Sequence, residues 1–243
     1  MGPRISSALR LLAASSLALT AACQDRLFDN PLDPTAGEIV FEVVNTISTP
    51  AWTPRGLTWD GTVLWNVDGS NDSIQAVNAS NGAPVRSLRS PVSNATGVAY
   101  DGSDLWVCGE LDVNVYRINI FNGDVQKRLS LQRGAFTAIE YAQGLLWLAD
   151  AQTNTILKVQ PETAEILGSI PNPGTRAGGL AFDGGHFWVS DARTLSIYEL
   201  DGAGRVLRKF LSPGQSPQGL AFDGRYLWNA DSNQKIYGLR HSP

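Results

Sequence analysis

The sequence predicts an all-β fold made of five repeated units, each of four antiparallel strands, and two observations carry this prediction. The first is a series of five tryptophans separated by 41, 41, 41 and 40 residues: Trp65, Trp106, Trp147, Trp188 and Trp228. The second is an Asp-Gly pair before four of them, as in residues 179–184, which read Gly-Leu-Ala-Phe-Asp-Gly. Short strands recurring about every 40 residues are typical of a β-propeller blade.

Each unit begins with two short apolar runs joined by a turn. An Asp-Gly pair between such runs predicts a two-residue type I′ hairpin. The third copy is the most divergent, because residues 138–144 read Ala-Ile-Glu-Tyr-Ala-Gln-Gly. A third run follows in every unit, such as residues 156–159, and a fourth follows in all but the last, such as residues 165–170. The result is four strands per unit.

The two ends of the repeat region complement each other. The fifth unit ends after its third strand, at residues 235–239, whereas residues 38–44 form a strand-like run with no unit of its own. We therefore expect residues 38–47 to complete the last blade and close the ring, which makes residues 38–243 one domain. A helical solenoid of the same period is disfavoured, because the apolar runs are short and bounded by turn residues.

The N-terminal residues have the layout of an export signal. Arg4 and Arg10 precede an apolar stretch of twelve residues, 11–22, and small residues lead to Cys23. A bilayer-spanning helix needs about 20 apolar residues, so residues 1–22 are interpreted as a cleaved signal peptide. Residues 23–37 are polar and contain prolines, which predicts a flexible tether.

Residues 20–23, Thr-Ala-Ala-Cys, resemble the lipobox of bacterial lipoproteins, although Thr20 stands where that family usually has Leu, Val or Ile. The resemblance implies a lipid on Cys23 and a membrane-anchored protein at the cell envelope, on the periplasmic or outer-membrane side. The alternative is ordinary cleavage after Ala22, which leaves a free thiol.

Charge and cysteine content limit the partners. Removal of residues 1–22 leaves 17 basic and 23 acidic residues, a net charge of −6, which disfavours nucleic-acid binding. Membrane association would then depend on the acyl chains. Cys108, the second of two cysteines, lies in an apolar strand and is expected in the core. We expect a monomer.

The repeated residues are expected to serve packing and turns. The tryptophans recur at one position of the unit, which favours core packing over a ligand-stacking ladder. An aspartate follows the tryptophan by three residues in four units, where capping of turn backbone is favoured over metal binding. These residues are Asp68, Asp150, Asp191 and Asp231.

Histidine is scarce, with His186 in a turn and His241 near the C-terminus, so Ser-His-Asp catalysis and His-based zinc sites are disfavoured. No cofactor is expected, although Asp and Asn loops leave a calcium site open.

Function is then expected where the copies differ, in the loops that enter each first strand and leave each second strand. These loops share one face, around the mouth of the ring, and their mixture of aromatic, amide and charged groups would suit a small polar ligand or a protein loop. The candidate residues are Trp52, Arg55, Glu110, Asp112, Arg133, Phe136, Glu140, Arg176, Arg193 and Gln218.

The repeated unit resembles those of several bacterial propeller families, including glutaminyl-peptide cyclotransferases and the lactonase and lyase propellers. The cyclotransferases carry a Phe-Thr-Gln-Gly motif, of which residues 136–137 and 217–219 retain fragments. The resemblance also implies a catalytic Glu directly after the hydrophobic pair of a second strand. The residues at that position are Asn66, Val107, Leu148, Val189 and Asn229.

Because none of these five residues is an acid, the sequence favours a binding module at the cell envelope that recognises a protein, peptide or glycan. Two alternatives stay open. One is a divergent cyclotransferase-like enzyme, and the other is a calcium-assisted lactonase or lyase.

Overall fold

The computed structural model describes residues 39–49 and 52–240, and every element in these ranges is a β-strand. The strands in chain order are β1 (Ile39–Val40), β2 (Glu42–Ser48), β3 (Pro54–Trp59), β4 (Leu64–Asp68), β5 (Ser73–Val77), β6 (Pro84–Arg89), β7 (Ala95–Tyr100), β8 (Leu105–Gly109), β9 (Asn114–Ile118), β10 (Val125–Ser130), β11 (Phe136–Ala142), β12 (Leu145–Asp150), β13 (Thr155–Val159), β14 (Ile166–Pro171), β15 (Ala177–Phe182), β16 (Phe187–Asp191), β17 (Ser196–Leu200), β18 (Val206–Leu211), β19 (Pro217–Phe222), β20 (Leu227–Asp231) and β21 (Lys235–Arg240).

Cys23, the predicted signal peptide and the predicted tether lie outside the described residues. Within the described ranges, no helix is long and apolar enough to cross a membrane.

The strands form five antiparallel blades. Blade I is β3 to β6, blade II is β7 to β10, blade III is β11 to β14 and blade IV is β15 to β18, while blade V joins β19, β20 and β21 to β2. The first strand of every blade contacts the first strands of both neighbouring blades. These contacts form a closed circle, which confirms the five-bladed propeller.

The N-terminal strand closes the ring, as the sequence predicts. β2 pairs antiparallel with β21, placing Glu42 opposite Arg240 and Ser48 opposite Lys235. The closing strand begins later than the predicted residue 38, because β1 instead pairs in parallel with β18 of blade IV. Phe41 lies between the two strands and stacks on Phe210 with ring centroids 4.4 Å apart. The buried Phe41 ring therefore marks where the chain crosses from blade IV to blade V.

The five tryptophans pack between blades. Each belongs to a hydrophobic cluster shared by its own blade and the next one, and none is more than 4% exposed. Burial of an aromatic side chain at every interface holds adjacent blades together, since no helix covers the sheets within the described residues. The predicted packing role of the tryptophans is confirmed.

The Asp-Gly turns differ from the prediction. In four blades the loop has four residues, as between Trp59 and Leu64, and glycine but not aspartate has a positive φ, for example 94° at Gly61. The Asp60 carboxylate accepts the backbone N–H groups of residues 62 and 63 and the indole N–H of Trp65, at 2.7–2.8 Å. The aspartate thus fixes both the turn and the tryptophan.

Asp101, Asp183 and Asp223 make the same contacts in blades II, IV and V. A type I′ turn occurs instead in the divergent blade III, where Gln143 and Gly144 form a two-residue loop and both have positive φ. There the Trp147 indole donates to the Ala142 carbonyl oxygen, at 3.4 Å.

The axis of the ring is closed by backbone. At the equivalent position of the five first strands lie Gly56, Gly97, Ala138, Gly179 and Gly219. A Cβ at Gly56 would lie 2.6 Å from the Cα of Gly97, and a Cβ at Gly179 would lie 2.5 Å from the carbonyl oxygen of Gln218. The space between these strands is too small to admit a water molecule. The four glycines therefore allow the first strands to approach each other this closely.

Candidate functional site

The mouth is the face where first strands begin and second strands end, and its aspartates serve the loops. Asp191 accepts the backbone N–H groups of Arg176, Arg193 and Thr194 at 2.8–3.0 Å. Asp68, Asp150 and Asp231 also accept backbone N–H groups from both the entering and the leaving loop of their blades. The predicted turn-capping role is confirmed.

An ion pair links two blades across the mouth. Arg176 Nη2 lies 2.5 Å from Glu110 Oε2, so the loop entering blade IV is joined to the loop leaving blade II, past blade III. The two side chains remain 40% and 31% exposed, respectively. This pair brings two of the sequence-predicted residues together at the mouth.

Two other predicted residues are engaged locally. Asp112 accepts hydrogen bonds from the backbone of Asn114 and the hydroxyl of Tyr116, both at 2.9 Å. Burial, followed by the bond to Asp112, raises the pKa of Tyr116. Trp52 is half-buried and packs against the hydrophobic cluster between blades V and I. Both residues therefore support loops and packing.

Two predicted mouth residues are located elsewhere. Phe136 is fully buried in the cluster between blades II and III, because its ring fills the interface beside the bulge of β11. Glu140 pairs with Trp147, close to the turn end of the hairpin and away from the mouth. Burial raises the pKa of Glu140 to about 8, outweighing a hydrogen bond with the backbone of Tyr141. Assigning these two side chains to the mouth was wrong.

The remaining predicted residues form the outer part of the mouth. Arg133 and Arg193 are exposed, while Arg55 and Gln218 are half-buried at equivalent positions of β3 and β19. Gln218 Nε2 lies 3.4 Å from the hydroxyl of Ser216. The mouth thus presents polar side chains on the face above a closed axis.

The positions that would carry a catalytic acid hold packed residues. Asn66 is fully buried and donates to the carbonyl oxygen of Gly56, at 2.9 Å. Asn229 is also buried and contacts the carbonyl oxygens of Gln218 and Gly219, at 3.3 Å. Both side chains tie a second strand to the first strand beside it.

Sequence reasoning missed a cavity on the opposite face. A groove of about 680 Å³ lies between blades I and II, on the side of the Asp60 turn, and we call it the I/II groove. Its walls include Trp65, Tyr100 and Phe121, with Asp60 and Asp104 beside them. Phe121 is 72% exposed. A concave surface with aromatic walls and a few carboxylates is typical of a binding site.

The charge in the I/II groove is reflected in Tyr100. Burial, and then the negative charges of Asp60, Asp101 and Asp104, raise the pKa of Tyr100. At the rim, the Arg86 guanidinium donates to the carbonyl oxygens of residues 120 and 121 and lies 5.5 Å from the Phe121 ring centroid. The signal available in the sequence was Ala76, in the third strand of blade I. The third strands of blades II, III and IV have a longer side chain at the equivalent position.

A further polar cluster lies on blade IV. His186 Nδ1 is 3.2 Å from Glu199 Oε1 and 3.8 Å from Asp183 Oδ2, an arrangement that could hold a metal ion. However, Arg208 Nε lies 2.5 Å from Glu199 Oε2, and the Trp188 indole donates to Asp183. A cation would have to compete with Arg208 for Glu199, so the protein already supplies the charge partner that this cluster needs.

Comparison with solved structures supports the fold. The chain is similar to glutaminyl cyclase from Myxococcus xanthus, with a TM-score of 0.70, 13% identity and coverage of 84% of this chain and 97% of the other. It also resembles virginiamycin B lyase from Staphylococcus aureus, at TM-score 0.52, 19% identity and coverage of 79% and 68%. These likenesses define the class of the protein as a β-propeller, and the blade count makes it five-bladed. No protein-family model and no curated protein matches the sequence.

Proposed function

We propose that this protein is a binding propeller, exported to the cell envelope and held at a membrane by a lipid on Cys23. The observation that carries the binding role is the I/II groove, an open cavity of about 680 Å³ between two blades. The repeated aspartates and tryptophans, by contrast, are occupied by turns and interfaces. Export and the lipid rest on residues 1–23 of the sequence.

Crosslinking in intact cells tests the binding role. The full chain, tagged at its C-terminus, is crosslinked and purified, and captured proteins are identified by mass spectrometry, with a glycan array as a second screen. We expect one partner that is recovered reproducibly and is competed by untagged protein. Absence of such a partner together with a flat array would contradict the proposal.

Two matched variants test whether the partner binds in the I/II groove. Ala76→Arg fills the I/II groove, whereas Ser87→Arg adds the same charge to the fourth strand of blade I on its other face. We expect Ala76→Arg to lose the partner and Ser87→Arg to keep it. A partner retained by both variants would uphold the binding role and place it elsewhere.

The lipid is tested separately by labelling cells with a clickable palmitate analogue. Label is expected on the natural chain and not on Cys23→Ala, and the variant is expected in the soluble envelope fraction. Equal labelling of both chains would exclude lipidation at Cys23.

A second candidate function is a cyclotransferase-like activity. The observation that favours it is the Pro217-Gln218-Gly219 fragment, which lies at the mouth with Gln218 half-buried. The Myxococcus xanthus structure of similar fold is a glutaminyl cyclase. Incubation with a peptide that begins with Gln would release ammonia if this candidate holds, and an unchanged peptide would remove it.

The calcium-assisted lactonase or lyase is the third candidate. It is favoured by the Asp183, His186 and Glu199 cluster and opposed by the position of Arg208. Calcium should raise the melting temperature, and a chelator should lower it, if the cluster holds this ion. Identical melting curves would remove this candidate.

A further inference from the structure

The five interblade grooves differ in the third-strand residue that pairs with the tryptophan. The pairs are Trp65 with Ala76, Trp106 with Arg117, Trp147 with Lys158, Trp188 with Glu199 and Trp228 with Gly238. Blades II, III and IV therefore place a long charged side chain beside the tryptophan, whereas blade I places a methyl group. Blade V has no side chain at this position, and a Cβ at Gly238 would lie 3.0 Å from the Trp228 ring. Ala76 is buried and forms part of the lining of the I/II groove.

The groove between blades II and III shows how the space can be filled. Arg117 Nε lies 2.7 Å from Asp101 Oδ2, and Arg117 Nη2 lies 3.2 Å from Asp104 Oδ2. Asp101 Oδ2 also accepts the Trp106 indole N–H at 2.9 Å. This carboxylate oxygen thus accepts an indole and a guanidinium at once.

The next groove follows the same pattern with another cation. Lys158 Nζ lies 5.4 Å from the ring centroid of Trp147, within range of a cation–π interaction. A cation beside the tryptophan is therefore found in two neighbouring interfaces of this ring.

Blade I repeats the acceptor without the cation. Asp60 Oδ1 accepts two backbone N–H groups, and Asp60 Oδ2 accepts the Trp65 indole N–H at 2.7 Å. These bonds match those of Asp101, apart from the bond with Arg117. Among the described residues, Asp60 Oδ2 therefore has an acceptor position left where Asp101 binds a guanidinium.

The charges around the I/II groove favour a cation. Beyond the effect of burial, Asp60, Asp101 and Asp104 lie close enough to Tyr100 to raise its pKa. The guanidinium groups nearby are those of Arg117, which pairs with Asp101, and Arg86, which lines the groove. Arg117 is held by Asp101 and Asp104, and Arg86 is held at the rim by carbonyl oxygens. The charge of Asp60 is left without an ion-pair partner among the described residues. Tyr100 and Phe121, which are partly or largely exposed, offer aromatic faces on which a planar guanidinium can stack, whereas Trp65 is buried.

We propose that the I/II groove binds an arginine side chain of a partner protein, in the place that Arg117 occupies in the next groove. This inference rests on the proposed binding function and names the chemistry that the groove recognises. The guanidinium donates to Asp60 Oδ2 beside Trp65, and its stem lies along the aromatic walls.

The test uses the chain from residue 24, which contains every described residue, and the peptide acetyl-Gly-Arg-Gly-amide. Binding is followed by the NMR shift of the Trp65 indole N–H, because this group donates to Asp60. We expect saturable binding with a Kd on the order of 1 mM, since one side chain contributes little contact area. The citrulline peptide, which has the same shape without the charge, and the lysine peptide should each bind at least about tenfold more weakly.

Variants assign the shift to the groove. Ala76→Arg should abolish binding, because the new side chain takes the place of the ligand, and Ser87→Arg should leave it unchanged. Asp60→Asn should weaken binding about tenfold, since the amide is uncharged. Asp223→Asn removes the equivalent turn aspartate from blade V and should leave the Trp65 shift unchanged.

Binding that survives in both Ala76→Arg and Asp60→Asn, or equal binding of the citrulline or lysine peptide, would overturn the arginine site. If Ala76→Arg does not fold, Asp60→Asn against Asp223→Asn decides alone. A crosslinked partner that persists in Ala76→Arg, with no peptide binding, would defeat this inference and keep the proposed function.

Discussion

The axis of the ring and the I/II groove are opposite outcomes of the same repeat. At the axis, four of five copies keep a glycine, and the first strands approach until no water fits between them. In the groove, Ala76 stands where three other copies have a long charged side chain, and a cavity of about 680 Å³ lies beside it. Positions at which the copies agree build the ring, and a position at which they differ gives it a surface that can recognise something.

The largest expected effect is at the axis, in Gly179→Ala. The added Cβ would lie 2.5 Å from the Gln218 carbonyl oxygen and the Leu220 nitrogen, both backbone atoms that cannot move independently. We expect a loss of about 3 kcal/mol in the free energy of unfolding, or a fall of about 6–12 °C in melting temperature. Urea unfolding measures it.

Gly202→Ala is the matched control, because nothing lies within 4 Å of a Cβ there and its φ is not positive. This substitution should change the stability by less than about 0.5 kcal/mol. Equal stability of the two variants would show that the axis is looser than the geometry requires.

The second effect separates a filled groove from an open one, through Asp101→Asn and Asp60→Asn. Asp101 accepts four donors, including Arg117, whereas Asp60 accepts three. We expect losses of about 2 kcal/mol for Asp101→Asn and about 1 kcal/mol for Asp60→Asn, because the extra bond is charge-assisted. Thermal unfolding of both variants at low salt measures the difference.

The pH dependence of this second effect has a definite sign. Burial opposes ionisation of Asp101, but bonds from Arg117, the turn backbone and Trp106 outweigh it and hold its pKa below the usual range. The stability it contributes is therefore present above the unfolded-state pKa of about 4 and is lost as the pH falls through the folded-state value. The difference in the free energy of unfolding between the natural chain and Asp101→Asn should become smaller below about pH 4. A difference that does not change with pH would contradict the ion pair.

The ring could be predicted from the sequence because its residues recur. Five tryptophans and four Asp-Gly pairs mark strand positions without reference to contacts between blades. The predicted turn type was wrong, because an Asp-Gly pair is compatible with both the two-residue loop and the four-residue loop. The indole that bonds to the aspartate and favours the longer loop lies five residues further along the chain.

The candidate site could not be predicted in the same way. Phe136 was assigned to the mouth because it lies where a loop enters the first strand of blade III. The direction of its side chain, however, depends on the bulge in β11. The I/II groove depends on what is missing opposite Trp65, and that becomes visible only when third strands are aligned by their pairing. Motifs reveal residues that are present more readily than spaces that neighbouring blades create.

A third, smaller effect on stability is expected near the turn of blade III. This blade carries Glu140 where blade I has Thr58 and the other three blades have alanine. Because burial raises its pKa to about 8, the folded state favours the neutral acid. Its contribution is fully present below the unfolded-state pKa near 4.5 and is lost as the pH rises through about 8. As the pH rises from 5 to 8.5, the free energy of unfolding of Glu140→Gln should therefore increase by about 1 kcal/mol relative to that of the natural chain. The change is modest because the side chain is partly exposed, which lowers the cost of ionising it in the folded state. Parallel pH profiles would show that this carboxyl is solvated.

The smallest effect is expected at the mouth, in Glu110→Gln. The ion pair with Arg176 crosses the mouth, but its side chains are 40% and 31% exposed, and exposed ion pairs contribute less than about 1 kcal/mol. We expect a change of less than 2 °C in melting temperature. Salt should remove that change, because screening weakens the pair in the natural chain. A loss of stability as large as that of Asp101→Asn would contradict this expectation. It would mean that the Glu110–Arg176 pair stabilises the mouth as strongly as the Asp101–Arg117 pair stabilises its interblade groove, so that the mouth is part of what holds the ring together.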